Sequence, residues 1–168
     1  MPKSDQGVVN SNRYQVIPRT LVFLTRGDEV LLLKGAPTKR LWANRYNGVG
    51  GHVEREEDVL SAARRELVEE TGLTCDDLWL AGTVMVNASD DVGVTIFIFR
   101  GEYQGGVLKA SEEGTLRWCK VAEISELPVL DDLKVLLPAA LHVKRGDPSF
   151  SAYSYYNEAD KLQVNVVR

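Results

Sequence analysis

The residues best suited to do chemistry in this chain are three glutamates in one short segment, Glu66, Glu69 and Glu70. If the segment is helical, they stand at positions i, i+3 and i+4 and are neighbours on one face. Like charges at this spacing repel each other and destabilise a helix unless a cation lies between them. Because carboxylate oxygens are the ligands that Mg²⁺ and Mn²⁺ prefer, this face predicts a site for a divalent metal ion.

The surrounding sequence predicts the helix that must hold these glutamates. Residues 59–71 are rich in Ala, Leu, Glu and Arg, which favour helices, and their apolar members recur at the spacing of a buried stripe. Glu57 and Asp58 place acids at the start of this helix, where they suit its dipole. Gly72 follows as the stop signal. We therefore expect a helix over 59–71.

A longer pattern, G-x5-E-x7-R-E-L-x-E-E-x-G-L, spans residues 51–73, and every fixed position in it is filled. An isolated E-x-x-E-E is usually a solvated acidic helix face. Here Gly51, Glu57 and Arg65 stand at the offsets that the full pattern requires, which favours the metal site. The pattern is the Nudix box, and the chain resembles Nudix hydrolases. This resemblance implies an α/β fold, an α/β/α sandwich with a mixed central sheet.

The resemblance also implies which residues hold the metal and which act on the substrate. The implied metal ligands are the backbone carbonyl of Gly50 and the side chains of Glu66, Glu69, Glu70 and Glu113. Glu70 would help to hold or deprotonate the attacking water. Glu69 and Glu113 complete the candidate catalytic set. Glu113 is included because similar enzymes have a glutamate, just before the strand that corresponds to 116–121 here, which reaches back to the metals. Glu112 is the alternative to Glu113, and for either residue a solvated loop acid is an equally good interpretation.

Glu57 and Arg65 are expected to support the site rather than to bind the metal. Eight residues separate them across the helix start, so a pair between them would tie the preceding loop to the helix and aim the carboxylates. The alternative is a simple i,i+4 ion pair between Arg65 and Glu69, which stabilises a helix by only a few tenths of a kcal/mol.

Charge considerations indicate the reaction. A diphosphate linkage repels an anionic nucleophile, and divalent ions that bridge its oxygens would neutralise the charge and orient a water. We therefore expect Mg²⁺- or Mn²⁺-dependent hydrolysis of a nucleoside diphosphate linked to another group, with Mg²⁺ as the first choice of cofactor.

Two segments outside the Nudix box narrow the range of possible substrates. RYNGVGG at 45–51 is similar to the W-N-G-F-G-G segment of MutT-type hydrolases of oxidised purine nucleoside triphosphates, and ELPVLDD at 126–132 resembles their stretch ending in two aspartates. This resemblance implies that Asn47, Asp131 and Asp132 read the purine edge. Asn47 offers a donor and an acceptor, and adjacent carboxylates can share a proton. Alternatively, the two aspartates cap the leucine-rich helix that follows.

A third match is the C-terminal segment 150–167, but the chain also departs from these hydrolases. Val129 stands where they have a tryptophan, and Leu41 replaces an aromatic residue of the preceding basic loop. Stacking on the base, and with it the preference for an oxidised purine, therefore stays open at this level.

The leading hypothesis is an enzyme that converts a nucleoside triphosphate, such as 8-oxo-dGTP, to the monophosphate and pyrophosphate. One alternative is a Nudix hydrolase of another nucleoside diphosphate derivative. A second is a nucleotide-binding Nudix module without catalysis, but a pure binder has no need for the complete set of glutamates.

Composition is that of one ordinary domain. The chain has 168 residues, 44% apolar and 26% charged, and we expect a flexible tail over 1–12 and a single domain over 13–168. The net charge of −4 argues against a nucleic-acid polymer as partner but not against a nucleotide bound with metal. Cys75 and Cys119 are isolated, which favours a reduced, cytoplasmic chain. No segment approaches membrane-spanning length.

The other predicted elements alternate between short strands and turns, with a second helix near the end. In chain order they are a hairpin over 19–34 that turns at 26–28, a loop at 35–44, strands at 78–86, 92–100 and 116–121, a helix at 131–143, and a closing hairpin of strands 150–156 and 162–167.

Overall fold

The computed structural model describes residues 2–7, 13–109 and 113–167. Within these ranges, eight strands form one mixed sheet in the order β3-β2-β1-β5-β4-β7-β8, with β6 paired to β2. The β1–β5 and β4–β7 pairs are parallel and the others are antiparallel. The strands are β1 (Gln15–Arg26), β2 (Glu29–Gly35), β3 (Tyr46–Asn47), β4 (Trp79–Val86), β5 (Val92–Glu102), β6 (Gly114–Lys120), β7 (Phe150–Tyr156) and β8 (Leu162–Val167).

Two α-helices cover opposite faces of this sheet. Side chains alternate between the faces of a strand, and on β1 Leu21 and Phe23 join the apolar cluster that contains α2 (Leu133–His142), whereas Val22 and Leu24 join the cluster that contains α1 (Val59–Thr71). The architecture is the expected α/β/α sandwich with a mixed central sheet. Short 3₁₀ helices occur at Lys3–Gln6 and Val121–Glu126.

The bounds of α1 match the prediction because strong local signals set both ends. Asp58 is the N-cap, and its Oδ1 accepts hydrogen bonds from the backbone amides of Leu60 at 2.9 Å and Ser61 at 3.0 Å. Gly72 ends the helix in the left-handed conformation, with φ of 73°. On the inner side, Ala63 and Leu67 are buried against the sheet.

Most of the other predicted elements are confirmed. The first hairpin turns at 26–28, where Thr25 pairs with Val30, and β7 and β8 have the predicted bounds. The predicted helix at 131–143 is α2, which is slightly shorter.

The glycine-rich segment 45–53, which lies between the predicted loop at 35–44 and α1, does more than connect elements. Besides β3, it forms bridges to β1 between Val22 and Val49 and between Arg19 and His52. Local sequence could not indicate this, since the partner strand lies about thirty residues earlier and the pairing depends on tertiary contact. The consequence is that loop 48–53 is fixed along the edge of β1.

The predicted N-terminal tail is described only in part. Residues 3–6 form one of the short 3₁₀ helices, and residues 1 and 8–12 lie outside the described residues. Across the ranges that the structure describes, no helix is both long enough and apolar enough to span a bilayer.

Candidate active site

The glutamate face of α1 packs directly against loop 50–51. The backbone amide of Gly50 donates a hydrogen bond to Glu70 Oε2 at 3.0 Å. A Cβ atom on Gly51 would overlap the Glu66 carboxylate, and one on Gly50, whose φ is 151°, would overlap the Thr20 carbonyl. Glycine at 51 therefore lets the Glu66 carboxylate lie against the loop, and glycine at 50 lets the loop lie against β1.

The Arg65 guanidinium connects this loop to the helix. Its Nε and Nη2 each donate to the Glu57 carboxylate at 2.9 Å, and Nη2 also donates to the His52 carbonyl at 3.0 Å. Its Nη1 donates to Glu66 at 2.8 Å and to Glu69 at 3.0 Å. Arg65 therefore makes much more than the i,i+4 pair that was the alternative interpretation.

These ion pairs change the electrostatics of the supporting residues. The hydrogen bonds from Arg65 hold the pKa of Glu57 below its ordinary value. The pKa of Arg65 is raised in turn, chiefly by Glu57 and then by Glu66. Glu57 therefore stays ionised next to the helix start, and it reaches Arg65 rather than the first turn of the helix.

Glu70 has the most perturbed environment of the three helix glutamates. Its pKa is raised to about 7, chiefly by burial and also by the nearby carboxylates of Glu66 and Glu113, while the Gly50 amide and Lys39 act in the opposite direction. A buried carboxylate beside other carboxylates favours either a proton or a cation. A divalent ion would supply the missing positive charge.

The chemistry of these donors fits a hard divalent cation, since all of them are oxygens. In the conformation described, however, the carboxylates of Glu66 and Glu69 form ion pairs with Arg65. Accordingly, no group of three acidic, cysteine or histidine side chains in the described ranges is close enough to hold a metal ion as it stands. Metal binding would require Glu69 and Glu66 to turn from Arg65 towards the ion.

Glu113 immediately precedes β6 and forms an ion pair with Lys39. Its backbone carbonyl accepts a hydrogen bond from the Ala36 amide at 3.0 Å. Since its charge contributes to the raised pKa of Glu70, its carboxylate belongs to the same electrostatic site. Glu112, the alternative candidate, lies outside the described residues.

A second group of residues, the candidate base-recognition segments, meets at β3. The Tyr46 amide donates to the Pro128 carbonyl at 2.9 Å, and the Leu130 amide donates to the Tyr46 carbonyl at 3.1 Å. This pairing brings Asn47 beside the segment that carries Asp131 and Asp132. Asn47 Oδ1 accepts a hydrogen bond from the Gly48 amide at 2.9 Å, which leaves its Nδ2 to donate elsewhere.

The two aspartates have different surroundings. Asp131 is exposed and forms ion pairs with Arg45 at 3.1 Å and Lys134 at 3.4 Å. Asp132 occupies the N-cap position of α2, but its side chain makes no capping hydrogen bond. Asp132 therefore takes the position that the helix-capping alternative predicts, without the side-chain hydrogen bond of a cap. Burial raises the pKa of Asp132, and the neighbouring Asp131 carboxylate adds to this effect.

Neither position that departs from the MutT-type pattern forms an obvious stacking surface. Val129 is 1% exposed and belongs to the core cluster on the α2 side. Leu41 and the adjacent Trp42 are instead exposed, at 56% and 45%. Stacking on a base would therefore have to come from the loop before β3 rather than from position 129.

Sequence reasoning missed Arg45 as a site residue. Its Nη2 donates to the Val129 carbonyl at 2.6 Å as well as to Asp131. Its partners lie more than eighty residues away, so no local pattern could have indicated these contacts.

A separate cavity of about 530 Å³ lies near the C-terminal end of α2 and contains none of the predicted site residues. Its lining residues are Asp77, Trp79, Arg100, Glu102, Tyr103, Gln104, Lys144 and Arg145. Arg100 Nη1 donates there to the carbonyls of Leu141 at 2.7 Å and Val143 at 3.1 Å. The guanidinium thus satisfies carbonyls at the end of α2.

Comparison with known proteins adds to this geometry. The NUDIX domain model matches residues 16–140. The oxidized purine nucleoside triphosphate hydrolase of Danio rerio is 32% identical over 127 residues, covering 75% of this chain and 80% of that protein. The NAD-capped RNA hydrolase NudC of Pseudomonas syringae is 28% identical over 137 residues, covering 80% of this chain and 47% of that protein. The crystal structure of a MutT protein from Bacillus halodurans superposes with a TM-score of 0.75 at 26% identity, covering 90% of this chain and 97% of that one.

Proposed function

Because the chain belongs to the Nudix family of hydrolases, we propose that it hydrolyses a nucleoside triphosphate to the monophosphate and pyrophosphate. An oxidised purine nucleotide such as 8-oxo-dGTP is the leading substrate. The observation that carries this proposal is the packing of Glu66 and Glu70 of α1 against loop 50–51. That packing holds two carboxylates beside the loop, where a metal-bound diphosphate could be attacked.

A divalent ion, Mg²⁺ or Mn²⁺, would be held by the Gly50 carbonyl and by Glu66, Glu69, Glu70 and Glu113. When bound, it would neutralise the diphosphate oxygens and lower the pKa of an attacking water. Arg65 would keep the helix and loop in register while its acidic partners turn towards the ion.

The proton of the attacking water requires a base. Glu70 is the leading candidate because its half-buried carboxylate lies against loop 50–51, where it accepts a hydrogen bond from the Gly50 amide beside the other site carboxylates. Glu69 and Glu113 remain the other members of the catalytic set, and Lys39 beside Glu113 can stabilise its charge.

Recognition of the base is assigned to Asn47, Asp131 and Asp132. The Nδ2 of Asn47 can donate to an acceptor on the base, and the Asp131 side chain can accept from a donor. Asp132, whose pKa is raised by burial, can donate in its protonated form. Together they suit a purine edge that presents both donors and acceptors.

Similarity supports a nucleoside triphosphate over other substrates. The match to the oxidized purine nucleoside triphosphate hydrolase extends over 80% of that protein, whereas the match to NudC covers less than half of its length. A second candidate function follows from NudC, namely hydrolysis of another nucleoside diphosphate derivative. In both cases the diphosphate is the chemical target.

A substrate panel tests this proposal. Release of nucleoside monophosphate would be measured with Mg²⁺ and with EDTA for 8-oxo-dGTP, dGTP, dATP, NADH and ADP-ribose. The second product is pyrophosphate for the three triphosphates, reduced nicotinamide mononucleotide for NADH and ribose 5-phosphate for ADP-ribose. We expect metal-dependent turnover with the highest kcat/KM for the oxidised purine triphosphate. Higher kcat/KM for a dinucleotide would establish the second candidate, and no turnover of any member would refute a hydrolytic role.

Glu70→Gln separates an enzyme from a binding module. An enzyme would lose at least about 100-fold in kcat while still binding the nucleotide, whereas a binder would be unaffected. Glu158→Gln, an isosteric change in the exposed turn between β7 and β8, is the matched control and should retain full activity.

A further inference from the structure

Arg45 joins two parts of the chain that the proposed base recognition needs together. It precedes β3, and its Nη2 donates to the Val129 carbonyl at 2.6 Å and to Asp131 Oδ1 at 3.1 Å. The same nitrogen therefore holds both the backbone before Asp131 and the carboxylate itself. Such charge-assisted bonds are stronger than those between neutral groups.

Backbone pairing alone does not orient Asp131. The hydrogen bonds between Tyr46 and the segment before α2 end at Leu130, one residue short of Asp131. Lys134 also contacts Asp131 Oδ1, at 3.4 Å, but it stands three residues further along the same segment. Lys134 consequently cannot fix the carboxylate relative to β3, whereas Arg45, which adjoins β3, can.

The contacts of Arg45 leave specific atoms available to a ligand. On Asp131, both cations bind Oδ1, and no hydrogen bond to Oδ2 occurs among the described residues. On Asn47, Oδ1 is engaged by the Gly48 amide. The two side chains thus keep an acceptor, Asp131 Oδ2, and a donor, Asn47 Nδ2, unused on adjoining segments.

We propose that Arg45 is a positioning residue for base recognition, which fixes the Asp131 carboxylate beside Asn47 so that this acceptor and donor read one edge of the base. The inference rests on the proposed function and adds to it a residue that touches neither the phosphates nor the metal. The contact of Arg45 with the segment before α2 would thus affect discrimination between substrates rather than the hydrolytic step.

Arg45→Met tests this assignment, with Lys134→Met as the matched control, since each change removes one cation from Asp131. KM and kcat would be measured for a purine nucleoside triphosphate and for deoxyribose 5′-triphosphate, which has no base. We expect Arg45→Met to raise KM for the purine substrate by at least about 10-fold, with kcat changed by less than about 3-fold. KM for the base-free substrate should stay within 2-fold, and Lys134→Met should change neither by more than 2-fold.

Arg45→Lys adds a conservative variant, because it restores the charge on a shorter side chain. Partial recovery of the purine KM relative to Arg45→Met is expected. A purely structural role would instead raise KM or lower kcat equally for both substrates and would appear as a lower Tm. Either that pattern, or an unchanged purine KM in Arg45→Met, would overturn the assignment.

The two proposals fail in different ways. In one case the wild-type protein hydrolyses the purine triphosphate, and Arg45→Met discriminates between this substrate and the base-free triphosphate as well as the wild type does. Only the positioning role is then wrong. If the wild-type protein neither hydrolyses nor binds a purine nucleotide by calorimetry, the proposed function and the role of Arg45 are both wrong.

Discussion

Glu70 illustrates how a local motif acquires its chemical character from its surroundings. Its position in the helix follows from the sequence, but burial beside Gly50, together with the charges of Glu66 and Glu113, raises its pKa to about 7. The ionised form is therefore disfavoured in the folded protein when no cation is present. Stability and metal binding should both depend on pH through this residue.

In the metal-free protein, Glu70→Gln is expected to be more stable than the wild type at pH 8 but not at pH 4. The folded protein binds the Glu70 proton more tightly than the unfolded chain does. The contribution of this proton to the free energy of unfolding is therefore complete below pH 4.5 and is lost as pH rises through about 7. The difference should approach at most about 3 kcal/mol. Urea unfolding with EDTA across this range measures it, and a difference independent of pH would contradict the assignment.

Arg65 provides a second prediction at this scale. Arg65→Gln removes five hydrogen bonds to Glu57, Glu66, Glu69 and the His52 carbonyl, so the carboxylates lose their common anchor. Loss of residues that orient metal ligands typically costs about 10–100-fold in affinity or activity, and we expect kcat/KM to fall by that amount.

The adjacent Arg64 gives the control for this change. Arg64 donates to the Asp76 carbonyl at 2.8 Å and to none of the acidic site residues. Arg64→Gln should therefore lower kcat/KM by less than about 3-fold. Equal losses in the two variants, accompanied by equal losses of Tm, would mean that Arg65 acts only through the stability of α1.

At the scale of elements, the position of α2 depends on contacts at both ends. At its start, the segment 128–130 pairs with Tyr46. At its end, Arg100 of β5 donates to the Leu141 and Val143 carbonyls, which would otherwise lack partners from the helix. The helix is thereby held across the sheet, with the segment that precedes it paired to β3.

Arg100→Met is expected to destabilise the protein by about 1–3 kcal/mol, because the part-buried carbonyls of Leu141 and Val143 lose a charged donor, although Val143 keeps a hydrogen bond from Trp79 Nε1. Arg145→Met is the matched control, since Arg145 lines the same cavity but forms an exposed ion pair with Asp77 at 2.7 Å. Exposed pairs contribute about 1 kcal/mol or less. Urea unfolding at one pH compares the two, and equal effects would remove the special role of Arg100.

At the scale of the whole molecule, the sheet carries both the box and the segments proposed to recognise the base. The box packs on the α1 side through β1, and the segments with Asn47 and Asp131 meet at the outer edge of β2 and β3. A metal ion that binds only this folded arrangement must stabilise the whole domain.

Saturating Mg²⁺ is therefore expected to raise the Tm of the wild-type protein. At a concentration 100 times the Kd, the stabilisation should be about 2.7 kcal/mol. Glu70→Gln should show a much smaller increase, and Glu158→Gln should match the wild type. Calorimetric scans with Mg²⁺ and with NaCl of equal ionic strength check this, and equal shifts in all three proteins would indicate a non-specific salt effect.

The sequence by itself determined α1, its two ends, the grouping of its glutamates and most strand positions. These depend on capping, periodicity and turn residues, which act within a few positions of the chain. Only the tertiary structure decided the parallel pairing of β1 with β5, the anchoring of loop 48–53 along β1 and the contacts of Arg45. Each of these joins segments about thirty to eighty-five residues apart, and a local pattern does not specify its distant partner. The pKa of Glu70 belongs to the same class, because burial arises only when the helix, the loop and β6 come together.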